Sequence, residues 1–264
     1  ETAFGIRVAD ELETEIQRLG PETVMAFVAE PVVGATLGAV PAAEGYFSRI
    51  RDICDRHGVL LILDEVMCGM GRTGHLFACE ADDVRPDIVT IAKGLGAGYQ
   101  PIGAMLCSAE IYSAIETGSG FFHHGHTYLG HPTACAAAHA VVTTLLEERL
   151  IGRVKEQGGK LMAHLKDRFD DHPHIGDIRG RGLFLGMEFV SDRQTKEPFA
   201  PDRACHRHFK AAAFDQGLIC YPMGGTVDGR RGDHVLIAPP FIISDDQIDE
   251  LGEKLQAAVS RTLT

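Results

Sequence analysis

The chain has 264 residues, of which 45% are hydrophobic and 30 are glycines, a composition that favours a packed α/β protein and excludes a disordered or fibrous one. Its formal net charge of -12 would repel phosphate backbones, so nucleic-acid binding is not expected. Seven cysteines without CxxC spacing predict reduced thiols in a cytoplasmic protein, with neither disulfides nor a zinc site.

Helices and strands alternate along the first part of the chain. The apolar periodicity predicts helices at 8–19, at 43–57 and after Pro132, and strands at 23–29, 59–64, 87–92 and 102–107. This alternation is typical of a mostly parallel sheet covered by helices. No apolar stretch reaches the length of a membrane span.

The pattern changes at about residue 150. Beyond it, the sequence predicts helices at 150–169, 202–216 and 245–262, and strands near 175–178, 183–190 and 234–238. The loop 222–233 is rich in glycine and charge, and we expect it to be mobile. We therefore expect part of a large α/β domain at 1–149 and a smaller α+β domain at 150–264.

Two of the predicted strands lead into ionisable residues. The apolar run 59–63 is followed by Asp64, and the run that starts at Asp87 is followed by Lys93. Because ligands bind at the carboxyl ends of parallel strands, we expect both groups to face one crevice. Taken alone, such an aspartate is more often a cap, and such a lysine is more often a solvated surface charge.

The segments around these two residues resemble the class III aminotransferases, which are pyridoxal-phosphate enzymes of fold type I. The resemblance covers nearly the whole chain, in family order. The blocks that carry it are AEPVVGA at 29–35, DEVMCGMGRTG at 64–74, IAKGLGAG at 91–98, HGHTYLGHP at 124–132, RGRGLFLGMEF at 179–189 and APPFIIS at 238–244.

The resemblance implies a role for several residues around a pyridoxal 5′-phosphate cofactor. Lys93 would form the Schiff base and carry the proton during transamination, while Asp64 would keep the ring nitrogen protonated. Val66 would pack on one face of the ring. Thr127 would reach the phosphate of the neighbouring subunit, which implies a homodimer with composite active sites. The alternative for Thr127 is a helix cap.

The resemblance also bears on the substrate. Glu30 matches a glutamate on the substrate side of the site, although a surface carboxylate is the alternative. Leu236 stands where ornithine- and GABA-type members have a carboxylate-binding arginine, and Ala35 stands where they commonly have its glutamate partner. We therefore expect an amine or omega-amino acid as donor and a keto acid such as pyruvate as acceptor. Arg231, or its neighbour Arg230, is the candidate for binding the acceptor, and a solvated arginine is the alternative.

The sequence departs from the family pattern at its beginning. It has no initiator methionine, and it lacks the upstream Gly-Ser turn and the aromatic residue that hold the cofactor in family members. The resemblance therefore implies the C-terminal part of a longer subunit. An aminomutase, a decarboxylase of the same scaffold and a catalytically silent truncated subunit stay open. The histidines near Thr127 match no common metal-ligand spacing, so no metal is expected.

Overall fold

The computed structural model describes residues 2–263 of the chain. Its α-helices are α1 (Thr2–Leu19), α2 (Tyr46–His57), α3 (Ala109–Thr117), α4 (Pro132–Glu147), α5 (Leu150–Phe169), α6 (Cys205–Asp215) and α7 (Asp245–Thr262). Its strands are β1 (Ala26–Ala29), β2 (Val32–Val33), β3 (Val40–Pro41), β4 (Leu60–Asp64), β5 (Ile88–Ile91), β6 (Ala104–Cys107), β7 (Ile175–Arg181), β8 (Phe184–Phe189), β9 (Tyr221–Gly224) and β10 (Asp233–Ile237).

These elements form two compact units. The first unit holds the described residues of Glu1–Pro31, together with Ala42–Gly71 and His75–Arg149. The second unit holds Val32–Pro41, Arg72–Gly74 and the described residues of Leu150–Thr264. The main change of unit along the chain thus falls between Arg149 and Leu150, and two short earlier segments belong to the second unit.

The first unit is built on a sheet with the strand order β1-β4-β5-β6. Strands β1, β4 and β5 run parallel, and β6 is antiparallel to β5. One face of this sheet packs against α1 and α2 through fully buried aliphatic residues such as Ile16, Ile50, Leu61 and Leu63. Each such side chain contributes about 1.5–3 kcal/mol on burial. The prediction of a mostly parallel, helix-covered sheet is confirmed.

Two glycines in the left-handed conformation flank α2. The helix begins after Gly45 (φ 80°) and ends at Gly58 (φ 65°), whose N–H donates to the carbonyl of Cys54. A residue with a Cβ pays for this conformation, whereas glycine adopts it freely. The chain therefore turns at Gly58 and enters β4 directly.

The second unit contains an antiparallel sheet with the strand order β7-β8-β10-β9. One face packs on α5, α6 and α7 through buried residues that include Leu161, Phe189, Phe209 and Leu255. The predicted smaller α+β part is confirmed. The predicted loop 222–233 is wrong at its start, because Tyr221–Gly224 is β9 and pairs with β10.

The sequence reasoning missed one α-helix and three strands among the described residues. The helix α3 has no buried residue and so carries no strong amphipathic signal, although Ser108 caps it by accepting the N–H of Ile111 (3.3 Å). The strands β2 and β3 are two residues each, which is too short for a periodicity to show. The strand β9 contains Pro222, a residue that argues against a strand in the sequence.

The hairpin β2–β3 lies on the other face of the antiparallel sheet. Arg179 of β7 holds it, because its guanidinium donates to the carbonyls of Leu37 (2.6 Å) and Gly38 (3.0 Å) and pairs with Glu188 (2.5 Å). His234 of β10 is fully buried against Gly38, where a Cβ would lie 2.5 Å from the imidazole Cδ2. The imidazole of His234 therefore leaves no room for a side chain at position 38, so this residue has to be glycine.

No α-helix within residues 2–263 combines the length and the apolar character that crossing a membrane requires.

Candidate active site

Asp64 is the last residue of β4, and one oxygen of its carboxylate is hydrogen-bonded to the backbone of the turn that follows. It is half-buried and in parallel register with Thr90 of β5. Its Oδ1 accepts the N–H of Val66 at 2.9 Å. This hydrogen bond to the N–H two residues later is typical of an aspartate in a turn, and it orients the carboxylate. The other oxygen, Oδ2, accepts no hydrogen bond from residues 2–263. One oxygen therefore stays available for a ligand.

Lys93 follows β5 at the same edge of the sheet. The strand ends at Ile91, Ala92 is extended, and Lys93 has a positive φ of 42° and begins a short 3-10 turn. A left-handed conformation costs a non-glycine residue about 1–2 kcal/mol, and such strain is concentrated at functional sites. The side chain is exposed, and its amine has no carboxylate partner among residues 2–263. It is a primary amine without a competing ion pair in the part of the chain that the structure describes.

The parallel register places Asp64 and Lys93 at neighbouring strand ends. Asp64 is opposite Thr90, which is three residues before Lys93. On the other side of β4, Ala29 of β1 is opposite Leu63, so Glu30 is level with Asp64. Three ionisable residues thus follow or end three adjacent parallel strands at the same edge of the sheet.

Glu65 is a residue that the sequence reasoning missed. It is fully buried, and its carboxylate accepts the backbone N–H groups of Ala78 (2.5 Å) and Cys79 (2.9 Å). Burial raises the pKa of Glu65, and the two backbone amides oppose that rise. The signal was present in the sequence, because side chains alternate along a strand and an Asp-Glu pair at its end must face opposite sides.

The turn after Asp64 packs against the turn that holds Lys93. Met70 is buried and has a positive φ of 53°. A Cβ on Gly94 would lie 3.1 Å from the Cβ of Met70. The close approach of these two turns needs the glycine directly after Lys93.

Val66 and Thr127 lie in the first unit as well. Val66 is half-buried and directly follows the Asp64–Glu65 pair. Thr127 is exposed in the turn that precedes α4, where the N–H of His131 donates to the carbonyl of Tyr128 (3.2 Å). The helix α4 contacts the 3-10 turn that begins at Lys93. The Thr127 hydroxyl has no hydrogen-bond partner among residues 2–263, and the residue is exposed.

Arg231 belongs to the second unit and is exposed. Its Nε donates to Oδ2 of Asp228 at 2.8 Å, and its Nη1 is 3.5 Å from Glu197. Asp228 also accepts the backbone N–H groups of Arg230 and Arg231, and these bonds lower the pKa of Asp228 to about 2. Arg231 is thus paired within its own loop, a state from which it would have to be released to bind an anion.

The GRTG turn that follows the Asp64 segment is structural. The guanidinium of Arg72 donates to the carbonyls of Leu183 (3.1 Å) and Pro239 (2.7 Å) and stacks on Phe241 at 4.4 Å. Burial lowers the pKa of Arg72 to about 10. The guanidinium of Arg72 is therefore bound within the second unit by two backbone carbonyls and an aromatic ring.

The residues at the sheet edge fit the chemistry of pyridoxal phosphate. A carboxylate oxygen without a donor at Asp64 suits a protonated ring nitrogen, and the amine of Lys93 suits an aldehyde. No group of three or more histidine, cysteine, aspartate or glutamate side chains in the described part of the chain is arranged to hold a metal ion.

A comparison with known families decides the relationship. The model of the class-III aminotransferases matches residues 4–259. The chain belongs to the class III aminotransferases. Enzymes of this family depend on pyridoxal phosphate, in agreement with the donor set described above.

Several curated relatives support this membership. An aminotransferase of Gibberella zeae is 49% identical over 96% of this class III chain, and a Bacillus subtilis protein named uncharacterized aminotransferase YodT is 43% identical over 95%. Gamma aminobutyrate transaminase 3 of Solanum lycopersicum is 39% identical over 99%. The matches cover 50%, 56% and 49% of those proteins, so the chain spans about half the length of these relatives.

Solved structures show the same fold. A thermostable (S)-enantioselective omega-transaminase from Thermomicrobium roseum superposes with a TM-score of 0.91 at 40% identity, covering 99% of this chain and 56% of that one. An amine transaminase from an uncultivated Pseudomonas species, described in its PLP-bound form, gives a TM-score of 0.91 at 36% identity over 99% of this chain and 58% of its own. The class III chain therefore has the fold of these transaminases over the part of them that it covers.

Proposed function

We propose that this chain carries the catalytic lysine and the ring-nitrogen carboxylate of a transaminase that moves an amino group from an amine or omega-amino acid to a keto acid such as pyruvate. The observation that carries the proposal is the placement of Asp64 and Lys93 at the ends of adjacent parallel strands. Pyridoxal phosphate, when bound, supplies an electron sink for the substrate carbon that bears the amine.

Lys93 is the proposed nucleophile and proton carrier. Its amine is exposed and unpaired by any carboxylate in the described residues, so it is free to attach the cofactor aldehyde. Once the substrate amine has replaced it, its Nζ takes the proton from the substrate carbon and returns it to complete the transfer. The 3-10 turn Lys93–Leu95 supports this role, because its backbone hydrogen bonds define the conformation of the segment that carries the base.

Asp64 is the proposed electrostatic partner. Its Oδ1 is held by the N–H of Val66, and its Oδ2 would accept a hydrogen bond from the protonated ring nitrogen of the cofactor and favour the cationic ring. The side chain of Val66 would cover one face of the ring. Glu30, level with Asp64 in the sheet, would line the substrate side.

A homodimer is part of the proposal. Thr127 is solvent-facing in a glycine-containing turn ahead of α4, where a hydroxyl and backbone amides suit a phosphate. We assign it to the cofactor phosphate of the neighbouring subunit. A cytoplasmic location accords with the seven free cysteines.

The substrate class follows from two apolar positions of the second unit. Leu236 is buried in β10 between Gly186 and Tyr221, and Ala35 is half-buried. Neither position offers the charge with which a second carboxylate of the donor would pair. Arg231 is the proposed ligand of the keto-acid carboxylate, after release from Asp228.

The test uses the full chain with added pyridoxal phosphate. We expect a visible absorption band, and reduction with borohydride should leave the cofactor mass on the peptide that contains Lys93. Lys93→Ala should abolish the label, whereas Lys210→Ala, at an exposed lysine of the second unit, should keep it. A label that survives Lys93→Ala would refute the assignment. With pyruvate as acceptor, a strong preference for ornithine or GABA over simple amines would contradict the substrate class.

A further inference from the structure

Glu65 is a fully buried carboxylate that adjoins Asp64 but faces the opposite side of the sheet edge. Its two oxygens accept the N–H groups of Ala78 (2.5 Å) and Cys79 (2.9 Å) at the start of the 3-10 helix Ala78–Asp82. Burying a carboxylate is costly unless it is hydrogen-bonded. Here the two charge-assisted bonds compensate part of that cost, and they anchor the end of β4 to a second segment.

The backbone of Glu65 is tied at two further points. Its N–H donates to the carbonyl of Thr90 (2.9 Å), which continues the β4–β5 ladder one residue beyond Asp64. Its carbonyl accepts the N–H of Gly69 (2.9 Å), which closes the following turn. Side chain, N–H and C=O of Glu65 are therefore each bonded to a different segment.

These ties determine where the neighbouring side chain points. Successive side chains in an extended strand face opposite sides, so fixing the Glu65 side chain fixes the rotation of the backbone at Asp64. The same backbone leads to Val66, whose N–H holds Oδ1 of Asp64. A loosened Glu65 would thus disturb both the direction of Asp64 and the bond that orients it.

Gly69 encloses the Glu65 carboxylate. A Cβ at Gly69 would lie 2.8 Å from the backbone oxygen of Glu65 and 2.9 Å from its Oε2. These distances leave no room for a methyl group. The turn that contains Gly69 therefore packs directly on the backbone and the carboxylate of Glu65.

We propose that Glu65 is a positioning residue that acts on the cofactor through Asp64. This inference deepens the proposed function and rests on it for the cofactor itself. Glutamine is the same size as glutamate, but its NH₂ group would face one of the two backbone N–H donors. Glu65→Gln should therefore loosen the anchor without leaving a large cavity.

The first experiment needs no cofactor. In the full chain without cofactor, Glu65→Gln should increase the hydrogen exchange of the Val66 amide about tenfold, as expected for the loss of one charge-assisted bond. Glu80→Gln is the matched control, because Glu80 lies in the same 3-10 helix and accepts the N–H of Phe77 (3.3 Å) at the surface. Unchanged exchange at Val66 in Glu65→Gln would overturn the proposal, even if the proposed function also failed.

The second experiment separates positioning from general stability. Glu65→Gln should weaken cofactor binding about tenfold in the wild-type background and hardly at all in Asp64→Asn, since the effect passes through Asp64. The pH at which the bound cofactor changes its absorbance should shift in the single variant. Equal losses in both backgrounds would show a structural role and overturn the proposal.

Gly69→Ala provides an independent perturbation if Glu65→Gln does not fold. It presses on Glu65 from outside and keeps the carboxylate group itself. We expect the same faster exchange at Val66, and the same absence of further loss of cofactor binding in Asp64→Asn. Loss of binding that adds fully to that of Asp64→Asn would again contradict the assignment. Absence of cofactor binding by the wild-type chain, with the Val66 exchange as predicted, would refute the proposed function and uphold the link between Glu65 and Asp64.

Discussion

Replacing His234 with leucine removes a fully buried imidazole from the face of the antiparallel sheet that the hairpin β2–β3 covers. Neither ring nitrogen of His234 has a hydrogen-bond partner among residues 2–263. Burial lowers the pKa of His234 to about 4, and the nearby cation of Arg179 acts in the same direction, whereas Asp233 opposes it. The imidazole is therefore neutral in the folded unit over most of the accessible pH range.

The magnitude follows from proton linkage. The ordinary pKa of 6.5 applies to the unfolded chain, so below pH 6.5 the unfolded state binds a proton that the folded state does not bind until about pH 4. The contribution of His234 to the free energy of unfolding is therefore fully present above pH 6.5, and it is lost as the pH falls toward 4. At about 1.4 kcal/mol per pKa unit, the full loss from this residue is about 3 kcal/mol.

Urea unfolding at pH 8, 6 and 4.5, with hydrogen exchange of the β10 peptide as the local probe, measures this loss. At pH 8, the free energy of unfolding of His234→Leu should stay within about 1 kcal/mol of the wild-type value, because the two side chains have similar volumes. Between pH 8 and pH 4.5, this variant should lose about 2 kcal/mol less of its free energy of unfolding than wild type loses. His208→Leu, at an exposed histidine of α6, should leave the acid response unchanged. An acid response in His234→Leu equal to that of wild type would refute the linkage reasoning.

Two further predictions concern packing and assembly. In α5, Gly158→Ala should lower the free energy of unfolding by about 1–3 kcal/mol, because its Cβ would lie 2.3 Å from the carbonyl oxygen of Gly182. The control Gly159→Ala meets no described atom within 4 Å and should raise the free energy of unfolding by about 1 kcal/mol, since alanine favours the helix. Urea unfolding midpoints compare the two variants, and equal effects would contradict the packing argument. Mixing inactive Lys93→Ala with inactive Thr127→Val chains should restore activity, because a mixed dimer contains one site with both residues intact, and no recovery after subunit exchange would contradict a composite site.

Much of the fold was accessible from local patterns. The long helices α5 and α7 were predicted at their observed bounds, because they are amphipathic over five turns and packing reinforces their periodicity. The strands β4 and β5 were found because apolar runs of four or five residues enter a buried sheet. The strand β9 was assigned to a loop, since its pairing with β10 comes from a distant part of the chain.

The candidate site divides in the same way. Asp64 and Lys93 stand out in the sequence by their place after apolar runs and by the surrounding glycine-rich blocks, which are local features. That both lie at one sheet edge follows from the parallel register, which pairs residues some 26 positions apart along the chain, as Asp64 with Thr90. Sequence spacing alone does not contain such a register.

The sequence by itself determined the family and singled out Lys93 and Asp64 as candidate site residues, because both depend on residue identity within short motifs. Only the tertiary structure decided that Glu65 is buried on the backbone amides of Ala78 and Cys79. It also decided that His234 packs against Gly38 and that neither of its ring nitrogens has a hydrogen-bond partner within residues 2–263. Burial and hydrogen bonding of a side chain depend on segments that are far apart in sequence. Those contacts exist only once the chain has folded.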